Sequence, residues 1–171
     1  HDRPLPLLRL EAEPPARRRG DVGEREAVTY AFNEDVVLAK ASNVRKTVAA
    51  IRLVNGPENG GVSDWIRMDA TDLNLQRAVE ALLDLANHLI SANGWELPRD
   101  GRHAFSILSG HGLLSGADLA LARAMVGFRN VAVHDYAALD PEIVRGIVRD
   151  RLGDLEVLVD GLLARLAPSR P

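Results

Sequence analysis

Leu75-Gln76-Arg77-Ala78-Val79-Glu80-Ala81-Leu82-Leu83-Asp84-Leu85-Ala86-Asn87-His88-Leu89-Ile90 decides the fold class of this chain. Leu75, Val79, Leu82, Ala86 and Leu89 recur at three- and four-residue spacing, and Leu83 and Ile90 widen that line into an apolar stripe. Residues so spaced share one face of an α-helix, whereas a half-buried strand would need strict alternation. The stripe predicts an amphipathic helix from about Asp64 to Asn93, with Gly94 supplying the left-handed position that ends it.

The same periodicity extends to both sides. Asn33 is a candidate N-cap with Glu34 and Asp35 in the first turn, and Val37, Val44, Val48 and Ile51 carry a helix over roughly 34–54. Asn55-Gly56-Pro57 and Asn59-Gly60-Gly61 break it into a loop. After the Leu75 helix, a short one is expected near Arg102–Ser109, between Pro98 and Gly110-His111-Gly112. Ser115, with Asp118 three residues on, opens a fourth helix that runs to about His134. Asp140-Pro141 opens a fifth, on which Val144, Val148, Leu155, Leu158, Leu162 and Leu166 are spaced for a buried face. No alternating strand pattern competes, so the expected fold is all-α: an antiparallel four-helix bundle with one short additional helix. The bundle domain is expected over 33–167. Residues 1–32, with Pro4, Pro6, Pro14, Pro15 and the run Arg17-Arg18-Arg19, read as a disordered or non-native extension. A basic arm is the functional alternative for that run, and a solvated linker the plainer one.

Composition bounds the function. At 171 residues and 46% hydrophobic, the chain can bury a core without disulfides. It has no cysteine, hence no thiolate metal site and no cysteine nucleophile, which suits a reducing compartment. No apolar run approaches the roughly 18 residues that span a bilayer, and no leader-like start is present, so a cytoplasmic protein without membrane contact is expected. A net charge of -3 argues against non-specific nucleic-acid binding, which depends on clustered Lys and Arg. Any contact with RNA should therefore be local.

The stretch with chemistry in it is Arg129-Asn130-Val131-Ala132-Val133-His134-Asp135-Tyr136. The 21 basic residues less Lys40 and Lys46 leave 19 arginines, so with 5 histidines an Arg five places before a His carries little information. Such a pair is expected about 0.5 times by chance, but requiring one of only two tyrosines two places further lowers the expectation to roughly 0.01. Arg129 falls on the line of Leu119, Ala122, Val126 and Val133, an apolar stripe where a guanidinium needs an anion, either a carboxylate from a neighbouring helix or a bound phosphate. His134 lies about 140° around an ideal helix from Arg129, so the two converge only if the helix ends there. A helix end also leaves an imidazole near solvent, able to exchange protons around neutral pH.

These groups suit RNA cleavage because the nucleophile, the ribose 2′-hydroxyl, is already in the substrate. His134 would take its proton and Arg129 would stabilise the scissile phosphate, with no metal demanded. A second proton donor for the departing 5′-oxygen is missing, which points to Tyr136 or to His134 of a second copy. Elsewhere, Asp84 and His88 read as a metal pair or an exposed helix pair, His103 and His111 have no evident ligand set, and Trp65 and Trp95 read as core or interface anchors rather than base-stacking platforms.

Gly127-Phe128-Arg129-Asn130-Val131-Ala132-Val133-His134-Asp135-Tyr136 resembles the signature of the HEPN superfamily, and within it the HepT-like toxins of toxin–antitoxin pairs. Asn33-Glu34-Asp35-Val36, Leu75-Gln76-Arg77-Ala78-Val79-Glu80 and Leu139-Asp140-Pro141-Glu142-Ile143 are similar to segments of the same proteins, so the likeness covers about 33–166. The resemblance implies a homodimer with facing motifs and a metal-independent endoribonuclease without cofactor. It puts Arg129 and His134 at the catalytic positions and Asn130 at the supporting polar position. The implied partner is a minimal nucleotidyltransferase antitoxin that AMPylates Tyr136, and the implied substrate is RNA, tRNA among the candidates. The competing implication is a non-catalytic HEPN module that binds such a nucleotidyltransferase and its substrate.

Overall fold

The computed structural model describes residues 28–135 and 139–167. Six helical segments make up the fold: α1 (Glu34–Val54), α2 (Asp64–Ala92), α3 (Gly101–Gly110), α4 (Gly116–His134), α5 (Pro141–Gly146) and α6 (Leu152–Leu166). Side-chain caps fix several starts. The Asn33 side chain accepts from Val36 N–H, Asp100 from His103 N–H and Asp140 from Glu142 N–H, while Ser115 and Asp118 form a reciprocal capping box. At the end of α2, Gly94 takes φ +64°, and Trp95 N–H and Gly94 N–H donate back to Ile90 and Ser91 carbonyls. That pair of bonds is the Schellman arrangement, and it needs a residue without Cβ at the turn.

Cross-helix bonds give the topology. Asn33 N–H donates to His88 Nε2 at 3.0 Å, Lys40 pairs with Asp84 at 2.5 Å and Asn55 Nδ2 donates to Thr71 Oγ1 at 2.8 Å, so α1 and α2 run antiparallel. Arg45–Asp160 and Arg52–Glu156 set α6 antiparallel to α1. The short α3 packs on both α2 and α4. Gly101 permits this closeness, because an added Cβ would lie 2.9 Å from Leu83 Cδ2 and 3.3 Å from Val126 Cγ1. Leu75, Val79, Leu82, Ala86 and Leu89 are buried, as their spacing requires, and meet Val44, Val48, Ile51, Leu155, Leu158 and Phe105 in one core. The result is the all-α bundle with its short additional helix.

Three sequence expectations need correcting. The helix opened by Asp140-Pro141 is not uniform: Ile147–Arg151 forms a π-helical turn between α5 and α6. Val144 and Leu152 are both buried although eight residues apart, a spacing that would rotate them about 80° on a regular α-helix. The wider π turn takes up that offset. Val133, placed on the apolar stripe of α4, is 45% exposed, so the stripe stops before the end of the helix. Trp65 is not a core residue, being 68% exposed on the first turn of α2, whereas Trp95 stacks on His111 with ring centroids 3.8 Å apart. Of the expected extension, residues 1–27 lie outside the described residues. Tyr30 and Ala31 near its end are held to the bundle, Tyr30 donating to the His111 carbonyl and Ala31 bonding the Asn93 amide through both its N–H and C=O. No helix among the described residues is long and apolar enough to cross a membrane.

Candidate active site

The Ser115 capping box starts α4, and Leu121, Ala122, Met125, Val126 and Phe128 bury its inner face. That burial fixes where the last two turns of α4 emerge. Arg129 leaves the helix at the edge of the core with its side chain 27% exposed and reaches across to α2. There Glu80 Oε1 accepts from both Nε at 2.7 Å and Nη2 at 2.5 Å. Of the two anions that the stripe position required, the carboxylate is the one present. Glu80 thus holds the guanidinium by its Nε–Nη2 edge.

His134 is the last residue of α4. Asp135 leaves helical geometry at φ -147°, ψ 58° while its N–H still bonds the Val131 carbonyl at 2.8 Å. Arg129 and His134 thus lie on one unbroken helix, about 140° apart around its axis, and the chain does not turn the two side chains toward each other within α4. His134 is exposed and has no hydrogen bond among the described residues. Asn130 is exposed on the turn between the two. Tyr136 lies outside the described residues.

The register between α2 and α4 orders these groups. Val126 lies beside Leu83 at Gly101, and Arg129 contacts Glu80, so the two helices run antiparallel. Moving along α4 from Arg129 to His134 therefore means moving along α2 from Glu80 toward Arg77 and Gln76. One turn further, Asp72 is 3% exposed; its Oδ2 accepts from Gln76 Nε2 at 2.9 Å, Oδ1 has no partner, and burial raises its carboxyl above the usual range. On the other side of α4, Met125, Phe128 and Val131 line an apolar cleft of about 440 Å³ closed by Leu139, Ile143 and Ile147. Val131 and Ile143, which line it, are 40% and 55% exposed.

The other sequence candidates have separate roles. Asp84 pairs with Lys40 and His88 accepts from the Asn33 backbone, so both hold α1 to α2. His103 Nδ1 accepts from Arg99 N–H, and His111 packs on Trp95. Glu80 was missed as an individual residue. A guanidinium on an apolar stripe needs such a carboxylate, but spacing alone does not choose among the acids of neighbouring helices.

Comparison with known proteins identifies the family and the fold. A family model described as Ribonuclease HepT-like matches residues 47–162. The mRNA nuclease HepT of Shewanella oneidensis strain MR-1 is 32% identical over 130 residues, covering 76% of this chain and 98% of that protein. The tri-AMPylated HEPN toxin of Shewanella oneidensis, solved in complex with an MNT antitoxin, superposes with a TM-score of 0.71 at 32% identity, over 77% of this chain and 99% of the toxin. YutE of Bacillus subtilis, a cytosolic protein of unknown function, shares the fold with a TM-score of 0.67 at 15% identity, over 81% of this chain and 93% of its own.

Proposed function

Because the chain belongs to the HepT-like ribonuclease family, we propose that it is the toxin of a toxin–antitoxin pair and cleaves RNA with Arg129 and His134. The observation that carries this reading is the placement of the motif. Arg129 is held by Glu80 through its Nε–Nη2 edge, and His134 stands at the exposed end of the same helix. His134 accepts the proton of the ribose 2′-hydroxyl as its oxygen bonds to the adjacent phosphorus. The bond from phosphorus to the 5′-oxygen then breaks, leaving a 2′,3′-cyclic phosphate. Arg129 stabilises the extra negative charge on the phosphoryl oxygens during this exchange, and Asn130 supports that contact. The 5′-oxygen needs a proton in return. A homodimer with facing motifs brings a second His134 for that role, and exposed Val131 and Val133 beside the motif supply apolar surface for the contact. Full specific activity from a demonstrated monomer would exclude it.

The antitoxin partner is a minimal nucleotidyltransferase that moves AMP from ATP to Tyr136. The phenol oxygen bonds to the α-phosphorus, pyrophosphate departs and the phenol proton is lost. A bulky anion two residues from His134 repels the RNA phosphate. The AMPylated state of the Shewanella toxin in its antitoxin complex supports this reading. Expression in a growing host tests it. Wild-type protein should arrest growth, Arg129→Ala and His134→Ala should not, and the cognate antitoxin should restore growth as AMP is found on Tyr136 by mass spectrometry. Arrest that persists in both variants would refute the assigned residues, and rescue with Tyr136 unmodified would refute the control mechanism. No arrest by folded, unmodified protein would favour the non-catalytic module that only binds the nucleotidyltransferase.

A further inference from the structure

A protein of net charge -3 that acts on RNA must concentrate its positive charge, and the only two lysines of this chain, Lys40 and Lys46, line the same groove. The groove, about 420 Å³, runs between α1 and α2, with Lys40, Asn43, Lys46 and Thr47 on one wall and Arg77, Glu80 and Asp84 on the other. Within it Lys40 is neutralised by Asp84, and Glu80 is taken by Arg129. Lys46 and Arg77 are exposed and have no salt-bridge partner among the described residues, so the groove keeps two uncompensated cations.

Their position matters more than their number. Glu80 belongs both to the groove and to Arg129, so the groove opens directly onto the motif. The antiparallel register of α2 and α4 then places Arg77 about 4.5 Å along the axis from Glu80, on the side toward His134, which lies about 7.5 Å beyond Arg129 on its own helix. Lys46 is on the wall facing Arg77, because Lys40 pairs with Asp84 and Asn55 with Thr71. The two free cations are thus level with the stretch of α4 between the two proposed catalytic side chains. The lining includes no aromatic ring and, apart from Ala81, is polar. Such a surface can hold phosphates and sugars, but it lacks the stacking platform by which proteins engage unpaired bases.

We propose that the α1–α2 groove is the path of the RNA backbone next to the scissile phosphate, with Lys46 and Arg77 each contacting one phosphate. This rests on the active site assigned to Arg129 and His134. Binding through the groove is tolerant of flanking sequence. The contacts position substrate and leave the chemistry to the motif, so their loss appears in KM and in salt dependence.

The test uses the full-length protein and a fluorescent single-stranded RNA that it cleaves. Steady-state kinetics are measured for Lys46→Ala/Arg77→Ala and for the charge-keeping Lys46→Arg/Arg77→Lys, and binding is measured over a range of salt in the His134→Ala background. The alanine pair should lower kcat/KM about tenfold or more, almost wholly through KM, and should flatten the slope of log K against log salt by about 1.4, or about 0.7 per phosphate contact on a single strand. The charge-keeping pair should retain most of both. Unchanged KM and salt slope, with cleavage still lost in Arg129→Ala, would overturn the groove and leave the active site standing. Loss of antitoxin binding without any change toward RNA would also overturn it, by assigning the groove to a protein partner. Cleavage that survives in both Arg129→Ala and His134→Ala would refute the active site itself and remove the groove's reason for lying there.

Discussion

On the proposed mechanism, the Arg129–Glu80 pair would matter little for stability and much for activity. The pair is partly exposed, at 27% and 49% for the two side chains, and such pairs contribute no more than about 1 kcal/mol. Glu80 nonetheless holds two nitrogens of a flexible side chain on one oxygen and so fixes where Nη1 points. Preorganising a charge at the transition state is worth more than its ground-state attraction. Glu80→Ala should therefore lower kcat about tenfold, equivalent to about 1.4 kcal/mol, while moving the melting midpoint by only a few degrees. Glu80→Gln, which keeps an acceptor for Nε, should recover most of kcat. Higher kcat in Glu80→Ala would contradict this account and make Glu80 a mask over Arg129. Legibility at this scale was uneven. The improbable spacing of Arg129, His134 and Tyr136 exposed the motif, and the cost of an unpaired guanidinium called for an anion. Which carboxylate answered depended on the register of α2 against α4, and register is set by packing that spacing alone does not reveal.

Elements were easier to read because their ends are written locally. Asn33, Ser115 with Asp118, and Asp140 with Pro141 each marked the start of a helix, and Gly94 marked a stop. The π turn at Ile147–Arg151 was not legible, since one extra residue in a long apolar repeat changes which side chains face inward without changing their types. Helix α2 also contains a local conflict. Asp72 is buried with one unpartnered oxygen, and burial raises its carboxyl above the ordinary value of 3.8. A raised folded-state pKa means that the charged form opposes folding. The cost is absent where both states are protonated, grows as pH rises through the unfolded value near 3.8, and is complete above the folded value. Asp72→Asn removes that charge and keeps an oxygen for Gln76, so it should stabilise the protein by about 1 kcal/mol at neutral pH. Thermal melts across pH would show the gain fading as the solution is acidified below the ordinary carboxylate range. Destabilisation at neutral pH would show instead that the bundle uses the charge.

The whole molecule solves a problem set by its charge: it is acidic overall, yet it belongs to a family of ribonucleases. The packing of α1 against α2 gathers the lysines beside Arg77, and α4 brings Arg129 to the same edge through Glu80. Composition requires that any RNA contact be local, and the groove proposed above is where such a contact would sit. The central claim is that the substrate supplies its own nucleophile, with His134 taking the 2′-proton and Arg129 holding the phosphate. Product ends report this directly. Purified protein is incubated with a defined RNA in EDTA, and the termini are read by mass spectrometry beside Arg129→Ala and His134→Ala controls. The account predicts a 2′,3′-cyclic phosphate on one fragment and a 5′-hydroxyl on the other, both absent with either variant. A 3′-hydroxyl with a 5′-phosphate would mean that water attacked the phosphorus, and would contradict the account.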